Sequence, residues 1–149
     1  MITPKYLSLG LKLGICGPQD VQEWVNIEIE KTEIPSKQLI DLAYTKDSDA
    51  MSLYSLLQDI PDSSDTFENL RSLLSNITDE NLKSISYCHR LAECLYNIWV
   101  ENDYEAPDDL SLIGSLDDGY ALAKQGIAGT IEGWHEDFRN FVTSFRKTC

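Results

Sequence analysis

The sequence predicts an all-α fold, a single compact bundle of about seven or eight short helices over residues 1–149. Apolar side chains recur at steps of three and four residues along most of the chain, as on one face of a helix. Proline stands repeatedly where a first helical turn can begin. No two runs of alternating apolar and polar residues are available to pair as strands. The chain has 149 residues, 42% of them apolar, which fits one helical domain with its own core.

Four prolines predict helix starts, because proline in the first turn loses no intrahelical hydrogen bond. They are Pro4, Pro18, Pro35 and Pro107. Helical apolar faces then run from 18 to about 31 and from 35 to about 45. The next helix is expected after a cap at Asp47 or Ser48, and a fourth after Ser63 or Ser64. Thr78 begins the clearest pattern, which reaches Trp99, and the last one spans residues 131–145.

Two segments are less regular. Leu7, Leu9, Leu11 and Leu13 alternate with period two, which is a strand pattern, but no second strand is available as a partner. Residues 4 to about 13 are therefore interpreted as a buried helix. Residues 103–130 contain four glycines and one proline among enough apolar residues to hold them in place. Two short helices joined by turns are expected there, with the acidic side chains outside.

The charge of the chain is strongly negative, with 25 acidic and 12 basic side chains and a formal charge of −13. Such a surface disfavours nucleic acid and anionic membranes, since both are bound through Lys and Arg. It favours a basic protein partner, or it serves solubility alone. No apolar window is long enough to span a bilayer, and Lys12 interrupts the apolar start, so neither a membrane span nor a signal peptide is expected. A cytoplasmic protein with mostly buried, reduced cysteines follows as the expectation, with Cys149 exposed at the end.

Acidic residues are densest between Trp99 and Asp118, and no Lys or Arg occurs between Arg90 and Lys124. Aromatic residues interleave with these acids. Tryptophan and tyrosine anchor protein interfaces, and carboxylates bind Arg and Lys, so the segment is a candidate contact face. In the alternative interpretation, Trp99 and Tyr120 are core residues beside a solvated surface. The predicted partner-binding residues are Glu101, Asp103, Tyr104, Glu105, Asp108, Asp109, Asp117 and Asp118.

No motif predicts catalysis, a metal or a cofactor. His89 lies on the apolar stripe of its helix, where a hydrogen-bonded core histidine is expected, and His135 beside Glu136 is expected to be exposed and solvated. Cys88 and Cys94 lack the spacing of a zinc site, and the acidic segment lacks the glycine and terminal glutamate of a calcium loop. The paired carboxylates, such as Asp108 with Asp109, are expected to be solvated. There is no phosphate-binding loop and no nucleophile motif.

The chain resembles the small, acidic, helical immunity proteins of bacterial toxin–immunity systems, including those paired with contact-dependent growth inhibition toxins. The resemblance lies in size, acidity, many short helices and two segments, residues 39–43 (LIDLA) and 116–131 (LDDGYALAKQGIAGTI). It implies a cytosolic protein without chemistry of its own. Such a protein binds and blocks a cognate toxin domain, often a basic nuclease.

Two alternatives remain open from the sequence. A helical adaptor would use a groove lined by the apolar faces around Leu53 to Ile77, and its binding would depend little on salt. An enzyme with an unrecognised site would use His89, Cys88 or Cys94.

Overall fold

The computed structural model describes residues 2–45 and 50–146. Within these ranges the chain forms nine α-helices and one 3₁₀ helix, and no strand occurs in them. The all-α prediction is confirmed, and the helix count is slightly higher than expected. The proposed caps at Asp47 and Ser48, and the terminal Cys149, lie outside the described residues.

The chain divides into two compact units, residues 1–70 and residues 71–149, and the boundary falls within the fifth helix. The organisation of the chain into a single domain stays a prediction. None of the described helices combines the length and the apolarity that a membrane crossing requires.

The first unit contains four helices and the start of a fifth. They are α1 (Pro4–Leu13), α2 (Pro18–Lys31), α3 (Lys37–Tyr44), α4 (Ala50–Gln58) and α5 (Thr66–Ser75), which continues into the second unit. Helix α1 packs mainly against α4, and α2 packs mainly against α3. The apolar residues at helical spacing form the interior of this unit: Leu7, Leu9, Leu13, Val21, Val25, Leu42, Leu53 and Leu57 are buried.

Helix α1 confirms the helical interpretation of residues 4–13. Thr3 caps the helix, because its hydroxyl oxygen accepts from the Tyr6 N–H at 3.0 Å, and Pro4 takes the first position. Gly14 ends it at a φ of +74°, in the left-handed region that favours glycine. Six of the ten residues are buried, so leucines on more than one side of the helix face protein. This burial explains why the leucine pattern imitates a strand.

A distant carboxylate completes the start of α1. Asp62 accepts from the backbone N–H of Lys5 at 2.8 Å, one of the donors that a first helical turn leaves unpaired, and from that of Ser64 at 2.8 Å. The Lys5 ammonium group in turn donates to the Ser64 carbonyl. Partial burial raises the pKa of Asp62, but the hydrogen bonds from Ser64 and Lys5 outweigh it and lower that pKa to about 2.

The second unit is arranged around one long helix. Its elements are the end of α5, α6 (Asp79–Leu82), α7 (Ile85–Glu101), a 3₁₀ helix (Asp108–Gly114), α8 (Leu116–Lys124) and α9 (Ile131–Thr143). Helix α7 contacts α6, the 3₁₀ helix, α8 and α9. Cys88, Leu91, Ala92, Leu95 and Ile98 of α7 are buried, as are Phe138 and Val142 of α9. The two short helices predicted within residues 103–130 are confirmed.

Two predicted helix starts and one predicted helix continuation are wrong, and local capping explains each. The start at Thr78 is confirmed, since its hydroxyl oxygen accepts from the Asn81 N–H at 3.2 Å at the start of α6. The pattern from Thr78 to Trp99 is two helices, because Ser84 caps a new start by accepting from the Tyr87 N–H at 3.1 Å. The helix expected at Pro35 begins at Lys37, since Ser36 accepts from the Leu39 N–H at 3.3 Å. The helix expected after Ser63 or Ser64 begins at Thr66, where Asp65 accepts from the Phe67 N–H at 2.9 Å.

Candidate functional site

The acidic segment, residues 101–118, begins where α7 ends in a tight turn. The Tyr104 N–H donates to the Trp99 carbonyl at 3.0 Å and closes the helix. Asp103 and Tyr104 both have a φ of +61°, in the left-handed region that favours glycine. A non-glycine residue held there costs on the order of 1–3 kcal/mol, although aspartate tolerates it better than tyrosine. The rest of the fold therefore holds this turn in place.

Tyr104 is displayed at that turn. Its side chain is 60% exposed, and its ring meets the half-buried indole of Trp99 edge to face, with centroids 5.1 Å apart. Below the indole lies Gly114, where a Cβ atom would stand 2.6 Å from Trp99 Cε2. The backbone at Gly114 thus packs against one side of the Trp99 indole, and the Tyr104 ring packs against the same indole. The structure thus places the predicted anchor on the surface and holds it by one aromatic contact.

Two of the seven predicted carboxylates already have cationic or titratable partners in the same unit. Arg71 on α5 donates two hydrogen bonds to the Asp109 carboxylate, from Nε to Oδ2 at 2.7 Å and from Nη2 to Oδ1 at 3.0 Å. The hydrogen bond from Arg71 lowers the pKa of Asp109. Asp117, in the first turn of α8, is half-buried, and its Oδ1 lies 3.3 Å from His89 Nε2.

The other carboxylates remain on the surface. Asp103, Glu105, Asp108 and Asp118 are exposed and make no ion pair within residues 2–45 and 50–146. Glu101 is also exposed, at the end of α7. The expectation that the acids face outward therefore holds for these five and for Asp109, whereas Asp117 turns partly inward. No sequence pattern indicates that Arg71 or His89 meets this segment.

His89 differs from the prediction of a core histidine. Its side chain is 30% exposed, and its Nε2 lies 3.0 Å from Glu93 Oε1 as well as near Asp117. The imidazole stacks on the ring of Tyr120, with centroids 3.8 Å apart and planes 20° apart. The apolar stripe of α7 is thus interrupted by a polar position at its edge, because α8 brings a carboxylate to it. We call His89, Glu93 and Asp117 the carboxylate–histidine cluster.

His135 also differs from its predicted state as a solvated residue. It is half-buried, and its Nε2 donates to the Leu82 carbonyl at 2.7 Å, which ties α9 to the end of α6. The same carbonyl accepts from Cys88 Sγ at 3.4 Å. Burial raises the pKa of Cys88 to about 11, although Arg139 opposes this, so the thiol stays protonated at neutral pH. Cys88 is therefore poorly suited to act as a nucleophile.

Comparison with known proteins does not place the chain. No protein-family model, curated protein or solved structure matches it significantly.

The apolar residues required by the adaptor alternative are mostly buried. Leu53, Leu57, Leu70, Leu73, Leu74 and Ile77 are at most 4% exposed. The first unit has a different open groove, of about 630 Å³, between α3 and α4. Tyr44 and Met51 line it and are 82% and 77% exposed. A groove for an adaptor would have to use these residues instead of the predicted faces.

Proposed function

We propose that the protein is an immunity protein that binds and neutralises a cognate, basic toxin domain of the nuclease type, in the cytoplasm and without catalysis of its own. The observation that carries this proposal is the acidic segment itself. Four of its exposed carboxylates lack an ion pair in the described part of the chain, and they share the segment with one exposed, ring-supported tyrosine. No Lys or Arg occurs between Arg90 and Lys124 to neutralise them locally.

The chemistry of a basic partner supports the proposal. A nuclease needs Lys and Arg to hold phosphates. Asp103, Glu105, Asp108 and Asp118 offer acceptors for charge-assisted hydrogen bonds from those side chains. Tyr104 supplies a large, rigid apolar surface at the same place, as interface anchors do. Opposite charges also speed the encounter of two proteins, to association rates of about 10⁸–10⁹ M⁻¹s⁻¹ at low salt.

Contacts within the second unit reduce the number of carboxylates that are available to a partner. Asp109 and Asp117 already interact with Arg71 and His89, so their carboxylates are partly satisfied before any partner arrives. We therefore assign the attraction mainly to Asp103, Glu105, Asp108 and Asp118, with Glu101 at the edge and Tyr104 as the anchor. A test that reverses Asp109 or Asp117 would disturb the fold of this unit as well as the partner.

The test compares two triple charge reversals. The partner is the basic C-terminal domain of a large exported protein encoded directly upstream of this gene, co-expressed and purified with the immunity protein. The face variant replaces three exposed acids of the segment by lysine: Glu105→Lys, Asp108→Lys and Asp118→Lys. The control variant makes the same change in net charge at three exposed positions of the first unit: Glu30→Lys, Glu33→Lys and Asp59→Lys. We expect the first variant to associate at least about tenfold more slowly at low salt and to lose most of its salt dependence. The control variant should slow by no more than about threefold.

Growth protection is the second measurement. Cells that express the toxin domain should survive with the wild-type protein and with the control variant, and should survive poorly with the face variant. Equal rates and equal protection by both variants would remove the acidic segment as the contact face. If the wild-type protein binds no neighbouring exported protein and protects no cell, the proposal of an immunity protein is wrong.

The α3–α4 groove supports a second candidate, an adaptor that binds an apolar helix or peptide beside Tyr44 and Met51. Binding there would change little with salt, since burial of apolar surface would drive it. Tyr44→Ser together with Met51→Ser separates the two candidates. The double variant should leave toxin neutralisation intact. A loss of protection with unchanged salt dependence would place the toxin contact in this groove instead of on the acidic segment, and a wild-type protein that protects no cell but binds an apolar peptide through Tyr44 and Met51 would favour the adaptor.

A further inference from the structure

The carboxylate–histidine cluster brings three potential metal ligands together from two helices. His89 and Glu93 stand four residues apart on α7, so they project from the same face of that helix. Asp117 reaches them from the first turn of α8. One ligand atom from each residue lies within 4.8 Å of the other two. Because all three belong to the second unit, the cluster is internal to one compact body.

The two distances from His89 Nε2 to the carboxylate oxygens fall in the range found between ligand atoms around one ion. Ligand bonds to zinc of about 2.0–2.1 Å place tetrahedral neighbours about 3.3–3.4 Å apart, and right-angled neighbours about 3.0 Å apart. His89 Nε2 lies 3.3 Å from Asp117 Oδ1 and 3.0 Å from Glu93 Oε1. The Glu93 side chain is 52% exposed, so an ion in solution can reach this side of the cluster.

Aromatic packing fixes two of the three ligands before any ion arrives. The His89 ring stacks on Tyr120, and Tyr120 meets Trp134 edge to face with centroids 5.0 Å apart. The Trp134 Nε1–H donates to the Leu116 carbonyl at 2.8 Å, next to Asp117 in the chain. One chain of contacts therefore orients the imidazole and anchors the backbone that presents the carboxylate. Support of this kind around the ligands strengthens metal binding.

We propose that His89, Glu93 and Asp117 form a binding site for a divalent transition-metal ion, with zinc as the first candidate. One imidazole and two carboxylates suit zinc and its neighbours in the first transition series, whereas calcium and magnesium take oxygen ligands. Two carboxylates neutralise the charge of a divalent ion, and the neutral imidazole supplies the nitrogen. Three protein ligands leave a fourth position open to water or to an incoming donor. The inference stands apart from the proposed function, since it needs no toxin.

The test titrates the reduced full-length protein with zinc chloride at pH 7 and measures heat and imidazole NMR signals together. We expect one zinc per chain. The His89 resonances should shift. Those of His135 should not, because its Nε2 is already hydrogen-bonded to the Leu82 carbonyl. Since the chain has only two histidines, the wild-type protein answers this question without any substitution.

Substitutions then assign the ligands. Glu93→Gln and Asp117→Asn should each weaken zinc binding by at least about tenfold, and His89→Gln should do the same. Asp137→Asn, an equivalent change at an exposed position of α9, should alter it by less than about twofold. Circular dichroism confirms that each variant is folded. Glu93 is the safest variant in this respect, because its side chain is half exposed.

Three results would overturn the site. The first is zinc that binds without shifting His89. The second is an affinity that Glu93→Gln and Asp137→Asn change equally. The third is a thiolate-to-metal charge-transfer band with cobalt, the optical substitute for zinc, since it would place the ion on cysteine. A variant that loses zinc binding but still protects cells would confirm the metal site and leave the proposed function intact, because the two are measured separately.

Discussion

Residues 1–70 and residues 71–149 are both acidic but distribute their charges differently. The first unit has 12 acidic and 5 basic residues, and the second has 13 and 7, for formal charges of −7 and −6. In the second unit seven of the acids fall within residues 101–118. Net charge therefore does not distinguish the two units. The difference lies in how closely the carboxylates are grouped and in which partners the fold provides for them.

The two units also use carboxylates for different purposes. In the first, the half-buried Asp62 completes the start of α1, and some of the exposed side chains are apolar, such as those of Tyr44 and Met51. In the second, Arg71 and His89 contact Asp109 and Asp117, and the remaining acids of the segment are left on the surface. A carboxylate that caps a helix contributes to stability, whereas clustered exposed carboxylates repel one another. The contrast teaches that the first unit uses Asp62 to complete its own fold, whereas the second leaves most of the acids of its segment exposed.

The largest effect on stability is expected from Gly114→Ala. This variant tests whether the close packing of Gly114 against Trp99 stabilises the acidic segment. The added methyl group would collide with the Trp99 indole at 2.6 Å, and the indole cannot yield without leaving Tyr104. We expect the free energy of unfolding to fall by about 2–3 kcal/mol. Denaturant titration followed by tryptophan fluorescence measures it.

The matched control is Gly119→Ala on α8. Its Cβ would lie 3.3 Å from Trp134 Cδ1, a tight contact that a gain in helix propensity of about 1 kcal/mol offsets. The net change should be close to zero. A loss as large as that of Gly114→Ala would show that the position beneath Trp99 is not special.

An intermediate effect is expected from Asp62→Ala in the first unit. The folded-state pKa of Asp62 is about 2, below its ordinary value of 3.8, so its contribution is complete above about pH 5 and is lost as the pH falls through 2. With allowance for solvent screening, we expect a loss of about 1 kcal/mol at pH 7. The difference from the wild type should shrink in denaturant titrations between pH 4 and pH 2.

Asp59→Ala serves as the comparison for Asp62→Ala, since Asp59 is an exposed acid three residues earlier. It should change stability by less than about 0.5 kcal/mol at any of these pH values. A difference for Asp62→Ala that stays constant with pH would contradict a role for the ionised carboxylate at the start of α1.

The smallest effect is expected from Arg71→Gln, which removes the cation from the edge of the acidic segment. The paired side chains are 30% and 50% exposed, so the loss should be only about 0.5 kcal/mol and should diminish in high salt. The pKa of Asp109 should rise, because the hydrogen bond that lowers it is gone. Carboxyl NMR signals across a pH titration measure this.

Lys83→Gln is the control for that pair, because Lys83 and Glu80 form a more exposed ion pair at 3.5 Å. Its effect on stability should be near zero, and the Asp109 titration should not change. A stability loss above about 2 kcal/mol for Arg71→Gln would mean that the second unit depends on neutralisation of its acidic segment.

The helical class was predictable because periodicity and capping are local properties. The apolar spacing of α9 and the Thr3–Pro4 start of α1 appear directly in neighbouring residues, and the structure confirms both. Helix starts were less predictable where several polar residues compete to cap. Ser36 and Asp65 each cap a helix in place of the start expected from the pattern, and Ser84 caps an additional start that the pattern did not indicate.

The candidate site was predictable only in part, for the same reason. The density of carboxylates and the presence of Tyr104 are visible in the sequence, and the structure leaves most of them exposed. The pairing of Arg71 with Asp109 joins residues 38 positions apart, and the approach of Asp117 to His89 joins different helices. Sequence spacing carries no information about such contacts, because they depend on how helices pack.

The sequence by itself thus determined the helical class, the negative charge and its concentration in one segment, since these follow from composition and from neighbours along the chain. Tertiary structure alone decided which carboxylates are paired, which tyrosine is displayed, and that one histidine meets two acids. The physical reason is that ion pairs and metal ligands act over a few ångströms in space, and packing brings together residues that the chain keeps apart.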